Sequence, residues 1–185
     1  MIDWHIERGW LSAAQRRESP NQDARPDTPI DLLVVHGISL PPGQFGGAAI
    51  DDLFCNRLDA AAHPTFAEIA TLRVSAHLLI RRDGALCQFV AFDRRGWHAG
   101  KSSFQGRTRC NDYAIGIELE GTDHIPYEAV QYDRLARVAA LLMRHYPAMT
   151  RDRIVGHSDI APGRKTDPGP AFDWDLLDKK LGVSP

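Results

Sequence analysis

Leu32–Gly37 reads LLVVHG, and Ile154–His157 reads IVGH. Leu32 to Val35 is a short apolar run, partly β-branched, which predicts a buried strand with His36 at its end. Ile154 and Val155 repeat the arrangement and end at His157. In α/β sheets, functional groups collect beyond strand ends, where the chain bends into a crevice. The pair therefore predicts an α/β (mixed α+β) fold, a single domain with a central mixed β-sheet flanked by helices, and a site built on His36 and His157.

Past the second strand the chain continues HSDIAPGRKTDPGP, His157 to Pro170. Pro162, Pro168 and Pro170 restrict φ, so this loop loses less chain entropy on ordering than a Gly/Ser loop would. Zinc takes nitrogen from His and oxygen from carboxylates, and a hydrolytic site uses three protein ligands with an open fourth position. His157 and Asp167 offer two of the three ligands, with Lys165 close by for chemistry, and the rest of the chain has to supply the third. The competing reading is a charged surface loop with a solvated histidine.

The 185 residues suit one domain, 1–185, with residues 1–30 as an N-terminal arm packed on it by Trp4, Ile6 and Trp10. A net charge of −2 with interspersed signs gives no footprint for nucleic acid or an anionic membrane surface. No stretch has the length of a membrane span, and the first thirty residues have no apolar core of a signal peptide. Cys55, Cys87 and Cys110 form an odd set without CxxC spacing, so no disulfide framework is expected and the cytoplasm is the expected compartment.

GISLPPGQFGG, from Gly37, is a long loop of the kind that is often functional. A short helix is expected over Ala48 to Asn56, and His63 in the following loop is assigned no role. Val74 to Ile80 and Leu86 to Phe92 predict a hairpin turning at Asp83 and Gly84. His77 in its first strand reads equally as ligand or as core residue. Trp97 and His98, in GWHAG, offer an aromatic face suited to a sugar or peptide, with simple packing as the alternative.

AIGIELEG predicts a strand over Ala114 to Leu119 with Glu118 and Glu120 on one face. A glutamate among Ile and Leu is costly without a role or a partner, which makes Glu118 a candidate general base. A helix is predicted from about Tyr127 to His145, its stripe Leu135, Val138, Leu142 and Tyr146 packing on the sheet and its Asp133, Arg134, Arg137 and Arg144 facing solvent. AFDWDLLDKKL predicts a final helix capped by Asp173.

With His36, Glu118, His157, Lys165 and Asp167 assembled, the chain resembles the zinc-dependent N-acetylmuramoyl-L-alanine amidases, the group that includes the phage T7 lysozyme type and the peptidoglycan recognition proteins. The likeness covers nearly the whole chain and is carried by ERGWL, LLVVHGISLPPGQFGG, HPTFAEIATLRVSAHLLIRRDG, GWHAG, GRTRCNDYAIGIELEGTD and GHSDIAPGRKTDPGPAFDW. It is similar above all to the cytoplasmic 1,6-anhydro branch of cell-wall recycling. Asp167 stands where the phage-type relatives carry cysteine, and Gly37 where the anhydro branch often carries asparagine.

The resemblance implies zinc bound by His36, His157 and Asp167, with His77 outside the ligand set, and hydrolysis of the amide joining the lactyl group of (1,6-anhydro-)N-acetylmuramic acid to L-Ala of the stem peptide. It implies Glu118 as base and Lys165 as oxyanion stabiliser. Arg73 and Arg109 match arginines that would hold peptide carboxylates bidentately. A monomer taking a small muropeptide is expected. The rivals are a peptidoglycan-binding module without catalysis and a zinc peptidase cutting within the stem peptide.

Overall fold

The structure, a computed structural model, describes residues 3–182. Among these, one mixed sheet contains β1 (Gln15–Arg16), β2 (Leu32–Ile38), β3 (Leu78–Ile80), β4 (Leu86–Gln88), β5 (Ala114–Glu120) and β6 (Ile154–Gly156). Their spatial order is β6-β2-β5-β3-β4-β1. The first four of that order run parallel; β4 is antiparallel to β3 and parallel to β1. Helices α1 (Ala49–Phe54), α2 (Ala129–His145), α3 (His157–Ile160) and α4 (Trp174–Leu181) complete the expected mixed α/β domain.

The two-residue period of β2 and β5 decides where the site falls. Leu33 and Val35 of β2, with Ile115, Ile117 and Leu119 of β5, pack with Leu135, Val138 and Leu142 of α2 in one core. Burying a Leu, Ile or Val fully is worth about 1.5–3 kcal/mol each, so this face offsets the cost of polar groups on the other. Leu32, Val34 and Ala114 turn the opposite way, into a second cluster with Tyr113 and Ile160. Residues two apart share a face, so His36, Gly116, Glu118 and Glu120 lie on the side away from α2.

Several boundaries differ from the sequence expectation. His36 is inside β2, which continues to Ile38, because β5 pairs with it as far as Glu120. The hairpin is shorter than predicted, Leu78–Ile80 with Leu86–Gln88, and His77 precedes its first strand. Its turn does sit at Asp83 and Gly84, where Gly84 takes a φ of +82°. The N-terminal arm lies on the domain, and it also adds β1 to the sheet edge.

The charged face of α2 is less solvated than expected. Arg137 and Arg134 lie over the Trp4 ring, 4.0 and 5.5 Å from its centroid, and Lys180 pairs with Asp133 at 2.5 Å. Gln131 ties the start of α2 to the strand ends, its side chain donating to the carbonyls of Ile80 (3.1 Å) and Glu120 (3.0 Å). The last helix is capped as predicted, Asp173 accepting from Leu176 N–H at 2.8 Å.

Candidate metal centre and cleft

His36 and His157 come from neighbouring parallel strands: β6 pairs with β2, and His157 is the first residue of α3 immediately after β6. Their Nδ1 atoms are 3.0 Å apart. The Asp167 Oδ2 atom closes the triangle, 3.2 Å from His36 Nδ1 and 3.0 Å from His157 Nδ1. His36 and His157 are buried, 1% and 3% exposed, while the Asp167 side chain retains 15%.

The loop after α3 is shaped to deliver Asp167. Ser158 N–H donates to the Asp167 carbonyl at 3.0 Å, and the Tyr127 hydroxyl donates to the Pro168 carbonyl at 2.9 Å. Arg164 donates to the carbonyls of Ala99 (2.7 Å) and Lys101 (2.8 Å), fastening this loop to the one holding Trp97 and His98. Asp159, the other carboxylate of the stretch, accepts from Gly156 N–H at 2.7 Å and so serves the start of α3.

The donor set fits a divalent cation. His157 Nε2 faces the Ala99 carbonyl at 3.4 Å, which places the ring proton there and leaves Nδ1 with a lone pair turned towards the other two ligand atoms. Burial, opposed by the contact with Asp167, pushes His36 down to about 4, so that imidazole is neutral at neutral pH. Burial would raise the Asp167 carboxyl, but contacts with His157 and His36 outweigh it and hold the group below the usual carboxylate range. Two imidazole nitrogens and a carboxylate oxygen, about 3 Å apart, suit ligand bonds of about 2.0–2.2 Å to one ion.

Glu118 stands beside this group, in register with His36 on β5. Burial, reinforced by Asp167 and opposed by Lys165, holds its carboxyl well above the ordinary value. Lys165 is exposed and lines a cleft of about 220 Å³ together with His36, His157, Asp167, Glu118, Trp97 and His98. Leu53, Phe54, Leu72, Val74 and Ala76 give it an apolar wall. Three polar atoms on its lining residues are buried without a hydrogen-bond partner among the described residues: Glu118 Oε2, Trp97 Nε1 and His98 Nε2.

The remaining predicted residues divide. His77 is not in the His36, His157 and Asp167 group: its Nδ1 accepts from Gly116 N–H at 3.0 Å and its Nε2 donates to the Arg94 carbonyl at 3.0 Å, so both nitrogens are engaged. Trp97 and His98 reach the cleft, but as half-buried wall residues and not as an open aromatic loop, and the His98 nitrogens are enclosed. Arg73 is exposed next to the cleft residues Leu72 and Val74, donating to the Thr71 carbonyl at 3.2 Å. Arg109 is 73% exposed, paired with Asp112 at 3.0 Å, and lines an adjoining depression with Lys101 and Arg164.

Sequence reasoning missed two supports of the site. Arg81, from the hairpin, bridges buried Asp51 of α1 (2.9 Å) and Glu120 at the end of β5 (3.4 Å), and Arg17 of the arm also pairs with Asp51. Glu120 accepts from Gly46 N–H at 2.6 Å, which anchors the GISLPPGQFGG loop. The second support is Tyr127 over Gly37, a contact that no local pattern signals.

The profile of the family described as N-acetylmuramoyl-L-alanine amidase matches residues 26–170. The chain is 61% identical over 171 residues to the 1,6-anhydro-N-acetylmuramyl-L-alanine amidase AmpD of Escherichia coli (strain K12), covering 91% of this chain and 92% of that one. It is 58% identical over 180 residues to the AmpD of Enterobacter cloacae, covering 97% and 96%. Among solved structures, a selenomethionine derivative of AmpD superposes with a TM-score of 0.93 at 56% identity over 100% of both chains. AmiD of E. coli, in complex with the substrate anhydro-N-acetylmuramic acid-L-Ala-D-γ-Glu-L-Lys, superposes with a TM-score of 0.60 at 28% identity, covering 98% of this chain and 66% of that one. With a family match across most of its length and curated relatives that align nearly end to end, this chain belongs to the N-acetylmuramoyl-L-alanine amidase family.

Proposed function

We propose that this protein is a zinc amidohydrolase that cleaves the amide between the lactyl group of 1,6-anhydro-N-acetylmuramic acid and L-Ala of the stem peptide, in peptidoglycan recycling. The observation that carries the reading is the convergence of His36 Nδ1, His157 Nδ1 and Asp167 Oδ2 within about 3 Å of one another, beside Glu118 in one cleft.

In this reading His36, His157 and Asp167 hold the zinc. Bound there, zinc supplies Lewis-acid polarisation of the amide carbonyl and of the attacking water. Glu118, kept basic by burial, takes the proton from that water and passes it to the departing L-Ala nitrogen. Lys165 places its ammonium against the negative oxygen that develops on the lactyl carbonyl. The products are a lactyl carboxylate on the sugar and a peptide with a free L-Ala amine.

Trp97 and the ring surface of His98 line the cleft and would contact the substrate, and the exposed Arg73 and Arg109 would hold peptide carboxylates. We assign the protein to the cytoplasm as a monomer; Cys55, Cys87 and Cys110, all free, suit a reducing compartment. Incubation with an anhydro-muramyl tripeptide, with products identified by mass, tests the function. Free tripeptide beginning with L-Ala is expected; a shortened peptide still attached to the sugar would contradict it.

A further inference from the structure

We propose that His98 is a positioning residue of the metal centre, accepting at its Nδ1 the proton carried on His36 Nε2 and so fixing His36 with Nδ1 towards His157 and Asp167. This rests on the metal reading above. His36 Nε2 and His98 Nδ1 are 2.9 Å apart, and the two rings meet edge to face with centroids 5.0 Å apart. A neutral imidazole that gives Nδ1 to a metal carries its proton on Nε2, and a ligating histidine usually donates that N–H to a carboxylate, a backbone carbonyl or water. Here the acceptor is a second imidazole.

The surroundings of His98 are built to hold that ring in place. The Asn111 side-chain oxygen accepts from both His98 N–H (3.1 Å) and Ala99 N–H (2.8 Å), fixing the backbone on either side of the ring. The ring lies directly over Gly116 of β5, where an added Cβ would come within 2.4 Å of it. Its far side meets His77 edge to face, centroids 5.4 Å apart. His77 is itself locked by Gly116 N–H and the Arg94 carbonyl, so Gly116 both clears the space for His98 and holds the ring behind it. Once Nδ1 accepts from His36, the His98 proton sits on Nε2, which is enclosed and unpartnered among the described residues, so the ring nitrogens are not available to a substrate.

The test measures metal affinity by chelator competition, and the visible spectrum of the cobalt-substituted protein, in the full chain. His98→Phe keeps a ring but offers no acceptor, His98→Ala removes the ring, and His98→Asn restores an acceptor oxygen near the Nδ1 position. Phe and Ala are expected to weaken metal binding by about 10–100-fold and to shift the cobalt spectrum, with Asn returning affinity to within a few fold of the parent. Folded Phe or Ala variants with parental affinity and spectrum would overturn the inference. So would an Asn variant no better than Phe, because ring packing would then account for the loss. A parent protein that takes up no stoichiometric metal, or a His157→Ala variant that retains it, would instead overturn the metal reading on which the inference stands.

Discussion

Glu118 and His36 stand opposite each other on adjacent parallel strands, side chains on the same face of the sheet. Their spacing is set by backbone pairing between two seven-residue strands and not by a loop. In the proposed mechanism these are the base and a metal ligand, and side chains placed on paired strands keep their relative geometry better than side chains on loops.

Exchanging Glu118 for Gln, or Lys165 for Met, separates chemistry from binding. Neither residue belongs to the ligand group, so each variant should retain about one metal ion per chain and still bind muropeptide. Turnover should fall by about 10²–10⁴-fold for Glu118→Gln, and the loss at Lys165 should be on the order of 3 kcal/mol in activation free energy. Metal analysis together with single-turnover kinetics checks both. Near-parental turnover in either variant would remove that residue from the mechanism.

Gly37 has no room for a side chain, because a Cβ there would lie 2.3 Å from the Tyr127 hydroxyl that holds the Pro168 carbonyl next to Asp167. Gly37→Ala should cost about 1–3 kcal/mol in stability through overpacking. The cost should shrink in a Tyr127→Phe background, where the obstructing oxygen is gone. Denaturant unfolding of the four proteins in this cycle measures the coupling; additive costs would mean that the two sites do not meet.

Burial, helped by the nearby Arg25 charge, pushes His77 down to about 3, so this histidine stays neutral in the folded protein. Its folded value is below the unfolded one of about 6.5. The stability this confers is fully present above pH 6.5 and is lost as pH falls, at about 1.4 kcal/mol per pH unit, until the folded value is reached. His77→Asn can still accept from Gly116 N–H and has no proton to take up. The parent's advantage over this variant should therefore shrink steadily from pH 6.5 to pH 4, which unfolding in urea at several pH values would show; a constant difference would refute it. The variant should also keep its metal.

Arg73, next to the cleft residues Leu72 and Val74, and Arg109, in a separate depression, are both exposed. If they hold substrate carboxylates, either change to Ala should mainly raise KM, with kcat/KM falling in proportion and stability unchanged within about 0.5 kcal/mol. Steady-state kinetics on a muropeptide with an intact stem would reveal it. Unchanged constants in both variants would reduce the two arginines to surface charges.

Local sequence pointed to the residues that the fold brings together, because each lies in a distinctive context: an apolar run ending in histidine at His36 and His157, and a proline-bounded acidic turn at Asp167; beside them, Glu118 is a carboxylate within an apolar strand. The two-residue period correctly put Glu118 and Glu120 on one face. What it could not supply was long-range partnership. Whether His77 was a ligand depended on Gly116 and Arg94, and the inward turn of His98 depended on Gly116 having no side chain. The short hairpin strands show the same effect: Val74 to Ala76 have strand-like composition but pack around the cleft wall instead of pairing in the sheet.

The central claim is that water attacks the lactyl carbonyl at the His36, His157, Asp167 and Glu118 site. Hydrolysis of an anhydro-muramyl peptide in oxygen-18 water, followed by mass spectrometry of both products, tests it most directly. The account predicts one heavy oxygen in the lactyl carboxylate of the sugar fragment, an unlabelled peptide beginning with L-Ala, and loss of both products in Glu118→Gln. Label found in the peptide, or labelled sugar fragment formed at the parental rate by Glu118→Gln, would contradict it.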